Sequence, residues 1–286
     1  MAIVTPMHPD GSIHYEKLGE LIDFQIERHT DAIVICGTTG ESAAMTDQEH
    51  IDCIRYAVER TAGRVPVIAG AGSNDTRYAV ELSKEAARLG ADALLHVTPY
   101  YNKTSQRGLV RHFTEVADAT DLPVILYSVP SRTGVNILPE TCKILSEHPN
   151  ITAIKEASGN ISQVAEIRAL CGEELDVYSG DDNQIVPVLS LGGKGVISVL
   201  SNVLPQETHD ICARFFAGDL AGAAELQLKY LELIKALFMD VNPIPVKEAM
   251  NQLGQEVGEC RLPLLEMTDT QKQALAGALK RANVVR

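Results

Sequence analysis

The sequence predicts an α/β protein: a closed parallel (β/α)8 TIM barrel with a small helical appendage at its C-terminal end. Three observations carry that reading. Eight short, apolar, β-rich runs recur through roughly the first 200 residues and alternate with stretches of helical period. No dinucleotide or nucleotide fingerprint is present, as an open doubly wound sheet would need at its switch point. Beyond the eighth run only helical patterns remain.

Strands are expected at Ala2 to Val4, Ala32 to Cys36, Val65 to Ala69, Ala91 to Val97, Leu122 to Tyr127, Ile151 to Lys155, Leu175 to Tyr178 and Gly195 to Val199. Their β-branched and small apolar residues suit strands covered on both faces. The clearest helix is Asp75 to Leu89, where Ala79, Leu82, Ala86 and Leu89 repeat at spacings of 3, 4 and 3. Asp75 can cap its start, and Gly90 sits where a C-terminal glycine belongs. Similar helices fit His14 to Arg28, Thr46 to Thr61, Ser105 to Ala119, Leu138 to Glu147, Asn160 to Leu170 and Asn183 to Leu191. Pro205 to Ala217 should close the barrel. Asp219 to Phe238, Pro245 to Leu253 and Thr270 to Ala282 then follow, separated by proline-bearing turns. Residues 1–217 are therefore expected to form the catalytic barrel, and 218–286 a helical region packed on it.

The 286 residues are 45% hydrophobic and 22% charged, the composition of a soluble enzyme. A formal charge of -13 excludes nucleic acid and anionic membranes as partners, because both demand a basic surface. No apolar run approaches the roughly 18 to 20 residues that span a bilayer, and the first residues lack a basic stretch followed by an apolar one. A cytoplasmic location is expected. The six cysteines stand singly, with neither zinc-ligand spacing nor a disulfide framework, and no metal site is expected.

Barrel enzymes carry their chemistry on the loops after the strands. Reactive residues gather at those positions. Gly37-Thr38-Thr39-Gly40-Glu41 follows strand 2, and Pro99-Tyr100-Tyr101-Asn102 follows strand 4. Tyr127 ends strand 5, with Ser131-Arg132-Thr133-Gly134 beyond it. Lys155 ends strand 6, Gly180-Asp181-Asp182 follows strand 7, and Gly192-Gly193-Lys194-Gly195 leads into strand 8. A lysine at the end of a buried strand suits a nucleophile toward a carbonyl compound, although a strand-end cation snorkelling to water is the plainer alternative. About one free lysine in 2,500 is neutral at pH 7, so the amine needs burial and a neighbouring cation, for which Arg132 is the candidate. Tyr127 could shuttle protons, with Thr38 and Tyr101 as the available relay hydroxyls. Side chains alternate along a strand, so Glu156 should face away from Lys155 and anchor a neighbouring loop or helix. Plainer readings stay open for the others: a tight turn at Gly37 to Gly40, packing aromatics at Tyr100 and Tyr101, a surface cation at Arg132. The run Gly192 to Gly195 could bind phosphate. His50, His96 and His112 show no ligand spacing and read as ordinary surface or packing residues.

These motifs resemble those of the dihydrodipicolinate synthase family, within the pyruvate-dependent Schiff-base class I aldolases, nearly end to end. The matching segments are Gly-Thr-Thr-Gly-Glu-Ser at 37 to 42, Thr-Pro-Tyr-Tyr-Asn at 98 to 102 and Tyr-Ser-Val-Pro-Ser-Arg-Thr-Gly at 127 to 134. Ile-Lys-Glu-Ala at 154 to 157, Ser-Gly-Asp-Asp at 179 to 182 and Asn-Pro-Ile-Pro-Val-Lys at 242 to 247 complete the set. The resemblance implies an imine between Lys155 and pyruvate, with Tyr127, Thr38 and Tyr101 moving protons. It also implies a pyruvate carboxylate held by Thr39 with the Ile197 main chain alongside, Gly180 lining the substrate, and Arg132 binding the carboxylate of L-aspartate 4-semialdehyde. The implied product is 4-hydroxy-tetrahydrodipicolinate, at the first committed step of diaminopimelate and lysine biosynthesis, with no metal or organic cofactor. Tyr101 would reach a partner subunit's site in a homo-oligomer, a dimer at least and commonly a tetramer.

Rival readings are another aldolase of the same kind, acting on N-acetylneuraminate, a 2-keto-3-deoxy sugar acid or a hydroxy-oxo acid, or a non-catalytic sensor or scaffold barrel. Arg132 within Ser-Arg-Thr-Gly, with Thr38-Thr39, favours the synthase. The loop that binds end product in lysine-inhibited relatives is only partly kept. Ser42, Ala43, His50, Asn74 and Tyr100 match its pattern, Asp47 stands where histidine is frequent, and Tyr78 stands where a glutamate would hold the bound lysine. Loss of that carboxylate removes an ion pair, so feedback inhibition by lysine is predicted to be weak or absent. Half-inhibition by sub-millimolar lysine in a steady-state assay would overturn this.

Overall fold

The computed structural model describes residues 1–284. In chain order the elements are α1 (Tyr15–Glu27), β1 (Ile33–Ile35), α2 (Asp47–Thr61), β2 (Val67–Gly70), α3 (Thr76–Arg88), β3 (Ala93–Val97), α4 (Gln106–Ala117) and β4 (Val124–Ser128). Then come α5 (Pro130–Thr133), α6 (Pro139–Leu145), β5 (Ile151–Glu156), α7 (Ile161–Cys171), β6 (Asp176–Ser179), α8 (Ile185–Ser190) and β7 (Gly195–Val196). Helices α9 (Pro205–Phe216), α10 (Leu220–Ala236), α11 (Ile244–Gln252) and α12 (Asp269–Arg281) follow. This is the predicted order of a (β/α)8 barrel followed by helices. The chain divides into two compact units: Met1–Val65 with the chain from Ser198 onward, and Pro66–Ile197.

In the second unit β2 to β7 lie side by side in sequence order, all parallel. The helices return the chain between them. Helix α3 buries Ala79, Leu82, Ser83 and Ala86 along one stripe, and the Asp75 carboxylate accepts from the Arg77 N–H at 2.9 Å. Asn160 caps α7 through the N–H groups of Ser162 and Gln163. Pro130 starts the four-residue α5, within the loop expected after the fifth strand run.

One irregularity matters for the site. On β4 and β5, Val124 pairs with Ile151, but the next pair is Ile125 with Ala153. Thr152 is the extra residue, exposed and unopposed, as at a β-bulge. Were Thr152 paired like its neighbours, counting on from Val124 and Ile151 would set Ile154 opposite Tyr127. Because Thr152 bulges out, Lys155 occupies that position.

In the first unit the expected first strand shrinks to a single bridge between Ala2 and Val34. The Ala2 N–H donates to Ser198 O at 2.9 Å and the Ile3 N–H to Val34 O at 3.1 Å. The Asn202 side chain then takes the place of a strand partner: its Oδ1 accepts from the Val4 N–H at 3.1 Å and its Nδ2 donates to Ala2 O at 2.8 Å. The eighth expected strand is likewise curtailed, because Val199 already has helical backbone angles. Thr46 and Glu49 form a reciprocal capping box at the start of α2.

Two of the three histidines read as packing residues lie deep between β3, α3 and α4. His96 is fully buried, with Nε2 3.1 Å from the Ser83 hydroxyl, and His112 Nδ1 lies 2.9 Å from the Thr76 hydroxyl. The second nitrogen of each ring has no partner among the described residues. Burial depresses both, His96 to about 3, with the neighbouring His112 adding to the effect, and His112 to about 4. Both rings therefore stay neutral in the fold down to those values, whereas in the unfolded chain they charge below about 6.5. Their contribution to stability is intact above pH 6.5 and is lost as the pH falls toward 4 and then 3. Each ring should cost about 2 kcal/mol at pH 5 relative to pH 7.5. Urea unfolding at the two pH values should show this loss, reduced in His112→Asn.

Candidate active site

The site is built on the ends of β4 and β5. Tyr127 and Lys155 are register partners, 7% and 5% exposed, and Lys155 Nζ lies 4.3 Å from the centroid of the Tyr127 ring. A lysine this buried at a strand end is not a snorkelling surface cation. On its other side Lys155 pairs with Tyr178 of β6. Beyond β6 the chain passes close to the amine: a Cβ on Gly180 would stand 3.2 Å from Lys155 Cε and 2.6 Å from Ala157 Cβ. Glycine at 180 therefore leaves room beside the Lys155 side chain. Burial raises the Asp181 carboxyl above its ordinary value and Asp182 adds to this, while the Lys155 charge pulls it down. Ile197 is buried and donates its N–H to Ser179 O at 2.9 Å.

The loops after β3 and β4 present the remaining residues of this unit. Tyr101 has a left-handed backbone (φ 65°) and is 92% exposed, so little of it is covered by the described residues. Tyr100 is 37% exposed. The loop is tied down where Asn102 Nδ2 donates to Asn74 O at 2.9 Å. Arg132 lies exposed on α5, whose end is fixed by a hydrogen bond from the Thr98 hydroxyl to the Thr133 hydroxyl at 3.0 Å. Tyr78 is half-buried on α3. In the run Gly192 to Gly195, Gly193 has no room for a side chain, since its Cβ would lie 2.6 Å from Val188 Cγ1. This is a tight packing turn.

In the other unit, Thr38 is half-buried and Thr39 is buried, its hydroxyl accepting from Asn242 Nδ2 at 3.0 Å. Ser42 and Ala43 lie on a short 3-10 turn, Asp47 opens α2, and His50 is buried in that helix. Glu41 adopts left-handed backbone (φ 58°) and points into the protein. Its partner is Lys247 of α11, whose Nζ lies 2.9 Å from Glu41 Oε1 with both side chains almost fully buried. The same ammonium donates to Thr5 O at 3.2 Å and Glu259 O at 2.6 Å, so its three protons are all used. Glu41 Oε2 accepts from the Arg261 N–H at 2.8 Å. The Arg261 guanidinium reaches Gly11 O, Ala44 O and Glu49, and holds the Glu49 carboxyl down at about 2. Both Glu41 and Lys247 lie within the family motifs, yet neither position signals this pairing in the sequence beyond its complementary charge.

Among the described residues no group of three or more His, Cys, Asp or Glu side chains is placed to hold a metal ion. No helix of these residues is long and apolar enough to cross a membrane. Removing one member of a buried pair strands the other charge, so Lys247→Met should cost about 3 to 5 kcal/mol in urea unfolding at pH 7. The double variant Glu41→Leu with Lys247→Met should recover part of that loss.

The chain has extensive likeness to known proteins. The model of the dihydrodipicolinate synthetase family matches residues 1–282. A 4-hydroxy-tetrahydrodipicolinate synthase from Caldicellulosiruptor bescii is 60% identical over 279 residues, covering 98% of this chain and 94% of that protein. The crystal structure of dihydrodipicolinate synthase from Aquifex aeolicus is 46% identical with a TM-score of 0.97, covering 99% of this chain and 97% of the other. The enzyme from Cyanidioschyzon merolae, solved with lysine bound, is 43% identical with a TM-score of 0.97 over 99% and 97% of the two chains. The chain belongs to the dihydrodipicolinate synthetase family.

Proposed function

We propose that this enzyme condenses pyruvate with L-aspartate 4-semialdehyde, through an imine on Lys155, to give 4-hydroxy-tetrahydrodipicolinate. The observation that carries the reading is the buried pair of Lys155 and Tyr127, with Nζ 4.3 Å from the ring centroid. The name of the relatives, 4-hydroxy-tetrahydrodipicolinate synthase, supplies the product, and the family resemblance the second substrate.

Lys155 Nζ attacks the pyruvate carbonyl carbon, and the carbinolamine loses water once its hydroxyl is protonated. Tyr127 delivers that proton and later accepts one from the methyl carbon, leaving an enamine. The enamine carbon attacks the aldehyde, restoring the iminium on Lys155, and the aldehyde oxygen takes back the proton held by Tyr127. The amine of the semialdehyde portion then displaces Lys155 by transimination and closes the ring, so the enzyme is regenerated. All redox levels are unchanged, and the reaction needs no cofactor. Thr38 and Tyr101 are assigned to the relay, Thr39 and the Ile197 main chain to the pyruvate carboxylate, Gly180 to the substrate lining and Arg132 to the carboxylate of the semialdehyde. These roles rest on the family motifs. The near-complete exposure of Tyr101 supports its use by a partner chain in a homo-oligomer, a dimer at least and commonly a tetramer. The free cysteines support a cytoplasmic setting.

Borohydride reduction with pyruvate should place one stable adduct per chain on Lys155, found by peptide mass mapping, and none in Lys155→Arg. An adduct elsewhere, or none, overturns the mechanism. Tyr127→Phe should lower kcat by about 10² to 10⁴-fold. A coupled assay should show preference for aspartate semialdehyde over sugar-acid aldol substrates, and the reverse preference overturns the substrate assignment.

A further inference from the structure

We infer that Ser128, Asn136, Gln163 and Glu156 form a positioning network that sets the geometry of the Tyr127 and Lys155 pair from the opposite face of the sheet. The inference rests on the imine reading above. Ser128 and Glu156 are the register pair immediately after Tyr127 and Lys155, and both are buried. Successive side chains point to opposite faces, so this second pair faces the helix layer. There a closed chain of hydrogen bonds joins them. The Ser128 hydroxyl donates to Asn136 Oδ1 at 3.0 Å and accepts from the Ile137 N–H at 3.1 Å. Asn136 and Gln163 exchange two hydrogen bonds, 2.6 Å and 3.2 Å long. Gln163 Nε2 also donates to Glu156 Oε1 at 2.9 Å. The Glu156 carboxyl further accepts from the Ser158 N–H at 3.2 Å.

The chain therefore links the ends of two strands, the first turn of α7 and the segment following Arg132. Burial raises the Glu156 carboxyl, which opposes ionisation, while its hydrogen bonds to Ser158 and Gln163 favour it. An apolar contact of equal area would hold the strands together but would tolerate sliding. Directional bonds fix the ends to tenths of an ångström, the scale on which attack on a carbonyl is sensitive. None of the four side chains is assigned contact with substrate, so they act through the strand ends.

The test is rapid-quench borohydride trapping of the pyruvate imine. Gln163→Ala should slow trapping about tenfold or more, while adduct at long times stays at one per chain and the pyruvate KM stays within about twofold. A merely structural role would lower the adduct count and leave the rate of the surviving molecules unchanged. If Gln163→Ala does not fold, Ser128→Ala decides, with a smaller slowing of about threefold expected. The two substitutions together should be little slower than Gln163→Ala alone, because they break one chain. Wild-type trapping rates in the folded variants, or an adduct count falling in step with activity, overturn the positioning role and leave the imine reading intact. Absence of the Lys155 adduct in the unaltered enzyme overturns both.

Discussion

Adjacent residues at the end of a strand must face opposite ways, and the site is organised by that constraint. Lys155 turns toward the Tyr127 ring, and Glu156 turns toward α7. The amine is thus separated from the nearest carboxylate in sequence by the thickness of the sheet, although the two are consecutive. The alternation assigns one residue to chemistry and the next to scaffolding without any loop between them.

The first unit handles charge differently. Glu41 and Lys247 are almost fully buried together, a costly arrangement that stays favourable only when the remaining hydrogen-bonding capacity is satisfied. Here it is, through Thr5 O, Glu259 O and the Arg261 N–H. The consequence is local order in a stretch with irregular backbone. Cys36 and Glu41 both have positive φ, a conformation that strains residues with side chains, so the loop carrying Thr38 and Thr39 requires support from its surroundings. Thr39 receives it a second time from Asn242, in the same segment that leads to Lys247.

Much of this was legible in the sequence because it is local. The period of α3, its Asp75 cap and the apolar strand runs are set by neighbouring residues, and the structure reproduces α3 and six of the eight expected strands within two residues. Lys155 stood out because a charge at the end of an apolar run is locally anomalous, and the alternation rule correctly sent Glu156 to the other face. What was not legible is long-range. Lys247 and Glu41 are 206 positions apart, and no periodicity connects them. The first strand failed as a strand because a side chain, Asn202, takes backbone bonds that a neighbouring strand would have made. Tyr101 was open to a packing role because exposure is not written in residue type, and its 92% exposure emerges only with the fold.

Thr152 bears on any attempt to move this chemistry to another scaffold. A designer copying residues 151–155 onto a regular strand beside the tyrosine strand would match the letters and miss the bulge within them. On an uninterrupted ladder that begins with the same pair, the lysine would fall one step out of line and project into the helical layer. The two strands must therefore be moved with their bulge intact, or the threonine left out, for the lysine to stay opposite the tyrosine.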